Sequence, residues 1–538
     1  MKKRFLVFGY VAGAMLLSVL LTTSRAQAAP PPPDDTDAEN FDYMGQALAH
    51  GDFNGDGYED LAVGVDGESI GDSFDQVGAG AVEVIYGSSS GLEAPKRQFL
   101  RQGDGVLEDK PEFADSLGNS LAAGDFNGDG YDDLAIGVPF EDVGSVKDAG
   151  ALNVLYGSAS GLSTTVHAGE FWHQDTPGVE DAAEASDKFG RSLAVGDFNG
   201  DGWDDLAIGV PGEQVLYASD EGLVQVLQGS PSGLSTSYVY SQIFDQYPDW
   251  PEAGDLLGLS LAAGDFDGNG FDDLAIGVEL EDLRMADEGA VNILYGSGLG
   301  LTYGGAQFWH QDVAGVEGAA WSEEFFGSSL DAGDFNADGR DDIAIGVPRD
   351  IGPAGAQEGA VNVIYGSSAG LSVWAIPDQL WCQDIPGGAD IPDKFGSSLA
   401  VADFNGDKWD DVAIGVPTED VATGPGKYEG AAYVIYGSAV GLNTRILPGQ
   451  LWHQDAANVE DSAGQGDLFA FAVTAGDFNA DGQDDLAVGV PQEDLESAGG
   501  PIGVAGAVNV IYGFTDGLNA TAIPDQFWTQ VFISPPLP

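Results

Sequence analysis

Residues 52–60 read Asp52-Phe-Asn54-Gly-Asp56-Gly-Tyr58-Glu-Asp60, and this acidic nonapeptide returns six more times at intervals of roughly 70 residues. A fixed period of that length means one supersecondary unit copied and stacked, so the repeat decides the fold before any local motif does. The second copy shows the unit most clearly. Leu117 to Gly124 is a short strand of small residues, the loop follows, and Asp133 to Val138 is an apolar run of strand length ending at Pro139. A third strand, Gly150 to Gly157, closes on the turn Ser158-Ala-Ser-Gly-Leu162, and a fourth carries Glu170-Phe-Trp172-His-Gln174-Asp175. Third strands recur at 81–87, 224–229, 290–296, 360–366, 431–437 and 507–513, and fourth strands near Gln98, Phe244, Trp309, Trp381, Trp452 and Trp528. Four antiparallel strands repeated about a centre predict an all-β, seven-bladed β-propeller. No fourth strand precedes the first loop, so each blade is complete in sequence and the ring is expected to close by packing alone. The expected blades are 41–103, 113–175, 188–247, 256–312, 325–384, 394–455 and 468–532, after a Pro- and Asp-rich lead-in at 29–40 and before a tail at 533–538.

The loop has the form Asp-x-Asn/Asp-x-Asp/Asn-Gly-x-x-Asp, a spacing that supplies the hard oxygen ligands calcium wants. Positions one, three and five turn inward, position seven offers its carbonyl, and position nine closes the shell. The expected ligands are Asp52, Asn54, Asp56, Tyr58 and Asp60; Asp125, Asn127, Asp129, Tyr131 and Asp133; and Asp197, Asn199, Asp201, Trp203 and Asp205. The fourth and fifth loops give Asp265, Asp267, Asn269, Phe271 and Asp273, then Asp334, Asn336, Asp338, Arg340 and Asp342. The last two give Asp403, Asn405, Asp407, Trp409 and Asp411, then Asp477, Asn479, Asp481, Gln483 and Asp485. In the fourth loop Asp267 and Asn269 exchange the usual amide and carboxylate, so every loop keeps three carboxylates and one amide. Up to seven calcium ions are expected; magnesium, which demands octahedral geometry and retains water, fits less well. Glycine at position six permits a left-handed backbone, and Lys408 stands there in the sixth loop, marking the weakest site. The position-eight acids, Glu59, Asp132, Asp204, Asp272, Asp341, Asp410 and Asp484, point away from position nine and read as solvated.

With 88 acidic and 18 basic residues the formal charge is −70, which repels nucleic-acid phosphates and anionic membranes and excludes a nucleic-acid role. The 43% hydrophobic content is enough for a core. Lys2 to Arg4, the apolar run Phe5 to Leu21 and Ala26-Gln27-Ala28 read as a secretory signal peptide over 1–28, predicting export to the extracellular space or periplasm. No second apolar stretch is long enough to span a bilayer. The single cysteine, Cys382, forbids an internal disulfide, so stability must come from packing and metal.

Phe189-Gly190, Phe326-Gly327 and Phe395-Gly396 stand before the loops, with near matches at Met44-Gly45, Leu117-Gly118, Leu257-Gly258 and Phe469-Ala470. Gly-Val-Pro follows at Pro139, Pro211, Pro348, Pro417 and Pro491, with Asp66 and Glu279 replacing the proline in blades one and four. Together with the acidic loop these elements resemble the FG-GAP repeat of the integrin α-subunit head, over nearly the whole chain after the leader. The resemblance implies a seven-bladed propeller, calcium-bound hairpins on one face and ligand contacts from loops on the other. Integrin heads usually carry the loop only in their later blades, whereas all seven carry it here, and the leg, transmembrane helix and cytoplasmic tail are not matched. A free-standing, secreted, bacterial relative is expected, and integrin signalling does not carry over.

An acid recurs two residues after each Gly-Val-x, at Glu68, Glu141, Glu213, Glu281, Asp350, Glu419 and Glu493. Sevenfold identity favours a structural turn over a ligand site, because most ligands lack that symmetry. The Trp-His-Gln-Asp elements read as packing strands, since His gives way to Cys382 and Thr529 at equivalent places. No catalytic residues are expected: nucleophile and base patterns, phosphate loops and His/Cys clusters are missing from the sequence. Features that break the symmetry are better ligand candidates: the aromatics Tyr238, Tyr240, Tyr247 and Trp250, and the rare bases Lys147, Arg284 and Arg349. The first reading is a non-enzymatic adhesion or protein-recognition propeller whose protein or glycan ligand sits opposite the calcium loops. A carbohydrate-binding lectin, or a calcium-dependent lyase or hydrolase on the propeller face, are the alternatives.

Overall fold

The computed structural model describes residues 40–70, 77–103, 105–107, 109–215, 220–236, 242–244, 252–351, 357–382, 393–421, 427–497 and 500–530. The expected leader, nearly all of the lead-in, the tail and the aromatic residues Tyr238, Tyr240, Tyr247 and Trp250 lie outside them. Seven four-stranded antiparallel sheets form the blades, each with its strands in chain order. The first blade holds Leu48–Gly51, Asp60–Val65, Ala81–Ile85 and Arg97–Leu100, and the second Ser120–Gly124, Asp133–Val138, Ala151–Leu155 and Glu170–Trp172. The seventh holds Val473–Gly476, Asp485–Val490, Ala507–Ile511 and Gln526–Trp528, with an extra two-stranded ribbon, Leu495–Ser497 against Gly500–Ile502, between its second and third strands. The first strands of successive blades pack on one another around the axis, and that of the seventh packs on that of the first. The ring therefore closes without exchanging a strand, as the placement of the fourth strands requires.

The second strand of every blade, from position nine of the loop through Gly-Val, is wholly buried. It is sandwiched between neighbours, and the apolar core is accordingly seven layers between blades rather than one centre. Phe53, Ala62 and Val82 of the first blade meet Leu134, Ile136 and Val138 of the second, and Met44, Leu61 and Val63 meet Phe478 and Val508 across the closing seam. The loop's second residue, Phe53 and its six counterparts, is 0% exposed because it plugs the interface with the following blade. Burial of such a ring stabilises by roughly 2 to 3 kcal/mol, so the loop is anchored from behind by its own hydrophobe.

The Phe-Gly and Gly-Val elements meet each other. A Cβ on Gly64 would lie 2.2 Å from the carbonyl oxygen of Gly118 in the next blade, and one on Gly489 would lie 2.0 Å from that of Gly45. The second-strand glycine is there so that two backbones can touch. Farther from the axis, Tyr156 accepts a hydrogen bond from Leu234 N of the next blade at 3.1 Å, and Tyr365 and Tyr436 do the same toward Leu442 and Leu518.

Candidate metal centre and ligand face

Each acidic loop is built the same way. The position-one carboxylate folds back over the turn: Asp125 accepts Asp129 N at 3.1 Å and Gly130 N at 2.9 Å, while Asp129 accepts Tyr131 N at 3.2 Å. The amide of Asn127 donates to Asp133, whose two oxygens also accept Phe126 N at 3.0 Å and Gly157 N at 2.8 Å. Position six has φ of +86° in Gly130, and Lys408 adopts +74° with the same closing bond, Lys408 N to Asp403 at 2.7 Å. The side chains expected at positions one, three, five and nine are thus drawn into one small turn, and the position-seven side chains are turned elsewhere. Tyr131 lies over Gly55, Trp203 over Gly128, Phe271 over Gly200, Arg340 over Gly268 and Gln483 over Gly406, so these position-seven side chains cover the preceding blade's loop.

Burial pushes the position-nine carboxyls far up, to about 8 for Asp60, Asp133, Asp205, Asp273 and Asp342 and to about 9 for Asp411 and Asp485. A glycine amide pulls each down, and the carboxylates within its own loop push it back up. In the fourth loop Asp265, Asp267 and Asp273 bring one oxygen each within 4.8 Å of one another. Asp267 has no amide nitrogen to donate, and its buried Oδ1 has no hydrogen-bond partner. A turn of oxygens with an orphaned carboxylate oxygen and carboxyls held far above their usual range fits a hard cation, whose charge would answer all three features.

The position-eight acids are not solvated. Asp132 accepts Asp52 N at 2.7 Å and donates its own N–H to Asp52 O at 3.2 Å, and Asp204, Asp272, Asp341, Asp410 and Asp484 repeat the pair on the preceding loops. They are half-buried latches between blades. At the closing seam Glu59 donates its N–H to Asp477 O, and its longer side chain bonds His50 at 2.6 Å instead. Burial alone would lower the His50 pKa, but the Glu59 hydrogen bond and the Asp484 and Asp132 charges raise it.

On the opposite face the recurring acids are buried and structural. Gln102, Gln174, Gln311, Gln454 and Gln530 donate to Glu141, Glu213, Asp350, Glu493 and Glu68 of the following blade at 2.6 to 2.9 Å. The Trp-His-Gln-Asp strand is therefore a packing strand whose glutamine ties two blades. Of the rare bases, Lys147 pairs with Asp142, Arg284 with Asp312, and Arg349 lies over the Phe325 ring at 4.4 Å.

On this face a cavity of about 280 Å³ opens on the axis, lined by the starts of all seven first strands. Arg191, Ser328, Ser397 and Phe471, each directly after the Phe-Gly element of its blade, line its rim, and the equivalent residues of the other three blades are Gln46, Asn119 and Leu259. No two neighbouring blades agree except the two serines. Arg191 donates to Asn119 at 2.9 Å, and Asn119 and Gln46 donate to Asp66 at 3.2 and 2.9 Å. Burial lifts Asp66 to about 6 and Glu279 to about 7 and lowers Arg191. The two blades that lack proline after Gly-Val are thus those whose acids face the one arginine of the rim. Sequence reasoning missed Arg191 because it sought bases in long connections; its signal was a charge directly after Phe-Gly.

These features define an FG-GAP propeller. The FG-GAP repeat matches residues 44–85, 117–155, 189–227, 257–294, 326–363, 395–435 and 469–511, and the chain belongs to that family. It is 34% identical over 177 residues to integrin alpha-PS5 of Drosophila melanogaster, covering 33% of this chain and 16% of that protein. Integrin alpha-5 of Xenopus laevis is 31% identical over 243 residues, covering 44% and 20%. Phosphatidylinositol-glycan-specific phospholipase D of Rattus norvegicus is 32% identical over 169 residues, covering 31% and 18%. The chain thus spans a fifth or less of the length of these curated relatives. Among solved structures, the exotype rhamnogalacturonan lyase YesX overlaps at a TM-score of 0.31 with 12% identity, covering 89% of this chain and 91% of that one. The Dos1 propeller overlaps at 0.35 with 11% identity, covering 74% and 68%. Overlaps this loose carry no weight for function. No helix among the described residues is long and apolar enough to cross a membrane.

Proposed function

We propose that this is an exported, non-enzymatic recognition propeller of the adhesion type, in which calcium in the seven hairpin loops is structural and a protein or glycan ligand meets the opposite face. The fourth loop carries the reading: three carboxylates converge within 4.8 Å and one buried oxygen lacks a partner. Like charges about 4 Å apart repel by roughly 4 kcal/mol at an effective dielectric of 20, so an empty loop opposes its own fold. An ion bound to the native state alone stabilises by about 2.7 kcal/mol per site at a hundred times its dissociation constant. The position-one residue of each loop is held by the next blade, so the gain is spread around the ring. Kinship to integrin α chains supports recognition, and the non-repeating rim of the axial cavity supplies the asymmetry a specific ligand needs.

Excess chelator should lower the melting temperature, and calcium should restore it. An unchanged melting curve would remove the structural role of the ion. For the opposite face, a glycan array and an extracellular-protein array probed with wild type and Arg191→Ala separate the two ligand classes. A ligand bound equally by both forms would place recognition away from the rim.

A further inference from the structure

The axial cavity has walls of three kinds. Ser120, Ser192, Ser260, Ser329 and Ser398, from five different blades, form a collar around it. Each donates its hydroxyl proton to a carbonyl of the next blade, at Gly190, Gly258, Gly327, Gly396 and Ala470. Among the described residues no hydrogen bond is accepted by any of these Oγ atoms, so the collar has lone pairs left to offer and suits hydrogen-bond donors. One residue deeper, a leucine from each of six blades lines the floor. Phe471, 40% exposed, stands on the rim in the seventh blade, across the axis from Arg191 in the third. Arg191 spends one N–H on Asn119 Oδ1 at 2.9 Å, and Asp66, which faces it, is held by the amides of Asn119 and Gln46 instead. Lys394, whose carbonyl takes the rim hydroxyl of Ser397 at 2.9 Å, is half-buried. Among the described residues neither cation forms an ion pair, in a chain where acids outnumber bases 88 to 18. Burial lowers the pKa of both, and the Arg349 charge lowers Lys394 further against the pull of Glu279. Two desolvated cations without a bonded counter-ion, at the mouth of a cavity, favour an anion.

We propose that this pocket takes a sugar acid, one carboxylate-bearing, hydroxyl-rich ring of the uronate kind, free or carried on a glycan. Its carboxylate meets the open N–H groups of Arg191 within the field of Lys394, its hydroxyls donate to the serine collar, and its C–H face packs on Phe471 and the leucines. An aspartate or glutamate side chain would satisfy the arginine but bring no hydroxyl donors for the collar. A neutral sugar would satisfy the collar but leave the cations bare. Cavities for drug-sized ligands start at about 300 Å³, so about 280 Å³ has room for one such ring. A chain of formal charge −70 repels polyanions, which favours one carboxylate per ring over a densely charged polymer. This ligand class rests on the reading of this face as the recognition face.

The test is a ligand-observed NMR titration of the full chain with glucuronate and galacturonate, with glucose and galactose as uncharged matches and N-acetylaspartate as a carboxylate without the hydroxyls. At least one uronate should bind roughly tenfold or more tightly than its neutral match, the usual weight of a hydrogen bond to a charged group. Arg191→Gln should abolish that preference and leave the weak binding of the neutral sugar as it was. Lys394→Gln, which leaves the Asn119 bond intact, should weaken the uronate alone and by less. Uronates bound no better than their neutral matches, or bound equally by wild type and Arg191→Gln, overturn the proposal. N-acetylaspartate bound as tightly as the uronate overturns it too and gives the pocket to an acidic peptide. An array ligand that depends on Arg191 while no uronate binds overturns this proposal and leaves the recognition reading standing, which fails only when no array ligand depends on the rim.

Discussion

Gly489 sits where the last blade meets the first, and replacing it with alanine tests how the ring is held shut. The added Cβ would stand 2.0 Å from Gly45 O and 3.0 Å from Gly45 C. Even a close carbon–oxygen contact is about 3.3 Å, so one backbone must retreat by roughly 1 Å. Gly45 N is bonded to Gly64 O at 3.0 Å and Met44 N to Ala505 O at 3.0 Å, so neither partner can move without loosening these bonds. Forcing a methyl into a packed site of this kind costs typically 1 to 3 kcal/mol, and with a backbone rather than a flexible side chain in the way the upper end, about 3 kcal/mol, applies. That is roughly a hundredfold in the folding equilibrium. Gly57→Ala is the control. It meets nothing within 4 Å, but φ is +86°, so it carries only a left-handed strain of about 1 to 2 kcal/mol. Urea titration followed by tryptophan fluorescence should give Gly489→Ala the larger drop in midpoint, with faster proteolysis of the native protein. If Gly489→Ala costs no more than Gly57→Ala, close backbone approach is not the reason for glycine in Gly-Val, and the account of blade packing fails.

Further tests bear on individual contacts. Lys408→Gly relieves about 1 to 2 kcal/mol of left-handed strain and removes a positive charge beside Asp403 and Asp407; calorimetry should show tighter calcium binding in that loop, and unchanged affinity would refute the position-six argument. Tyr436→Phe deletes the acceptor of Leu518 N and the donor to Gln450, which should cost about 1 to 3 kcal/mol in urea unfolding; a loss near zero would show the latch to be idle, as the third blade hints by carrying Gln228 there. Burial lifts Glu324 from 4.5 to about 7 against the pull of Trp321 N and Ile351 N. The folded state then holds a proton the unfolded chain has released, so stability should fall between pH 4.5 and 7 by up to about 3 kcal/mol and level off above. Glu324→Gln should flatten that slope when measured in chelator, and identical pH profiles would contradict it.

Within one blade the sequence was an accurate guide. The apolar run from Asp133 to Val138, the loop between two short strands and the fourth strand at Trp172 are all local, and composition and turn chemistry report them. The count of fourth strands even indicated how the ring closes. Contacts from one blade to the next were harder to read. Asp132 looked solvated because alternation places it away from position nine, yet its partner is Asp52, 80 residues earlier. Gln174 was rightly assigned to a packing strand, but nothing local shows that it reaches Glu213. The recurring acids were correctly judged structural from symmetry alone. Arg191 escaped notice because the feature that singles it out is the rim, which exists only once seven strand starts are brought to one axis.

Every blade takes its four strands from one continuous stretch, and residues 40 and 41 already touch Gly503 of the last blade through Gly503 N to Asn40 and Phe41 N to Gly503 O. The order of blades along the chain is therefore a matter of bookkeeping rather than of architecture: a circularly permuted gene that joins the two ends and opens between any other pair of blades would encode the same wheel. Among the described residues one trace of where the chain was cut is chemical, in the exchange of an aspartate for Glu59 and a small residue for His50 at that spoke.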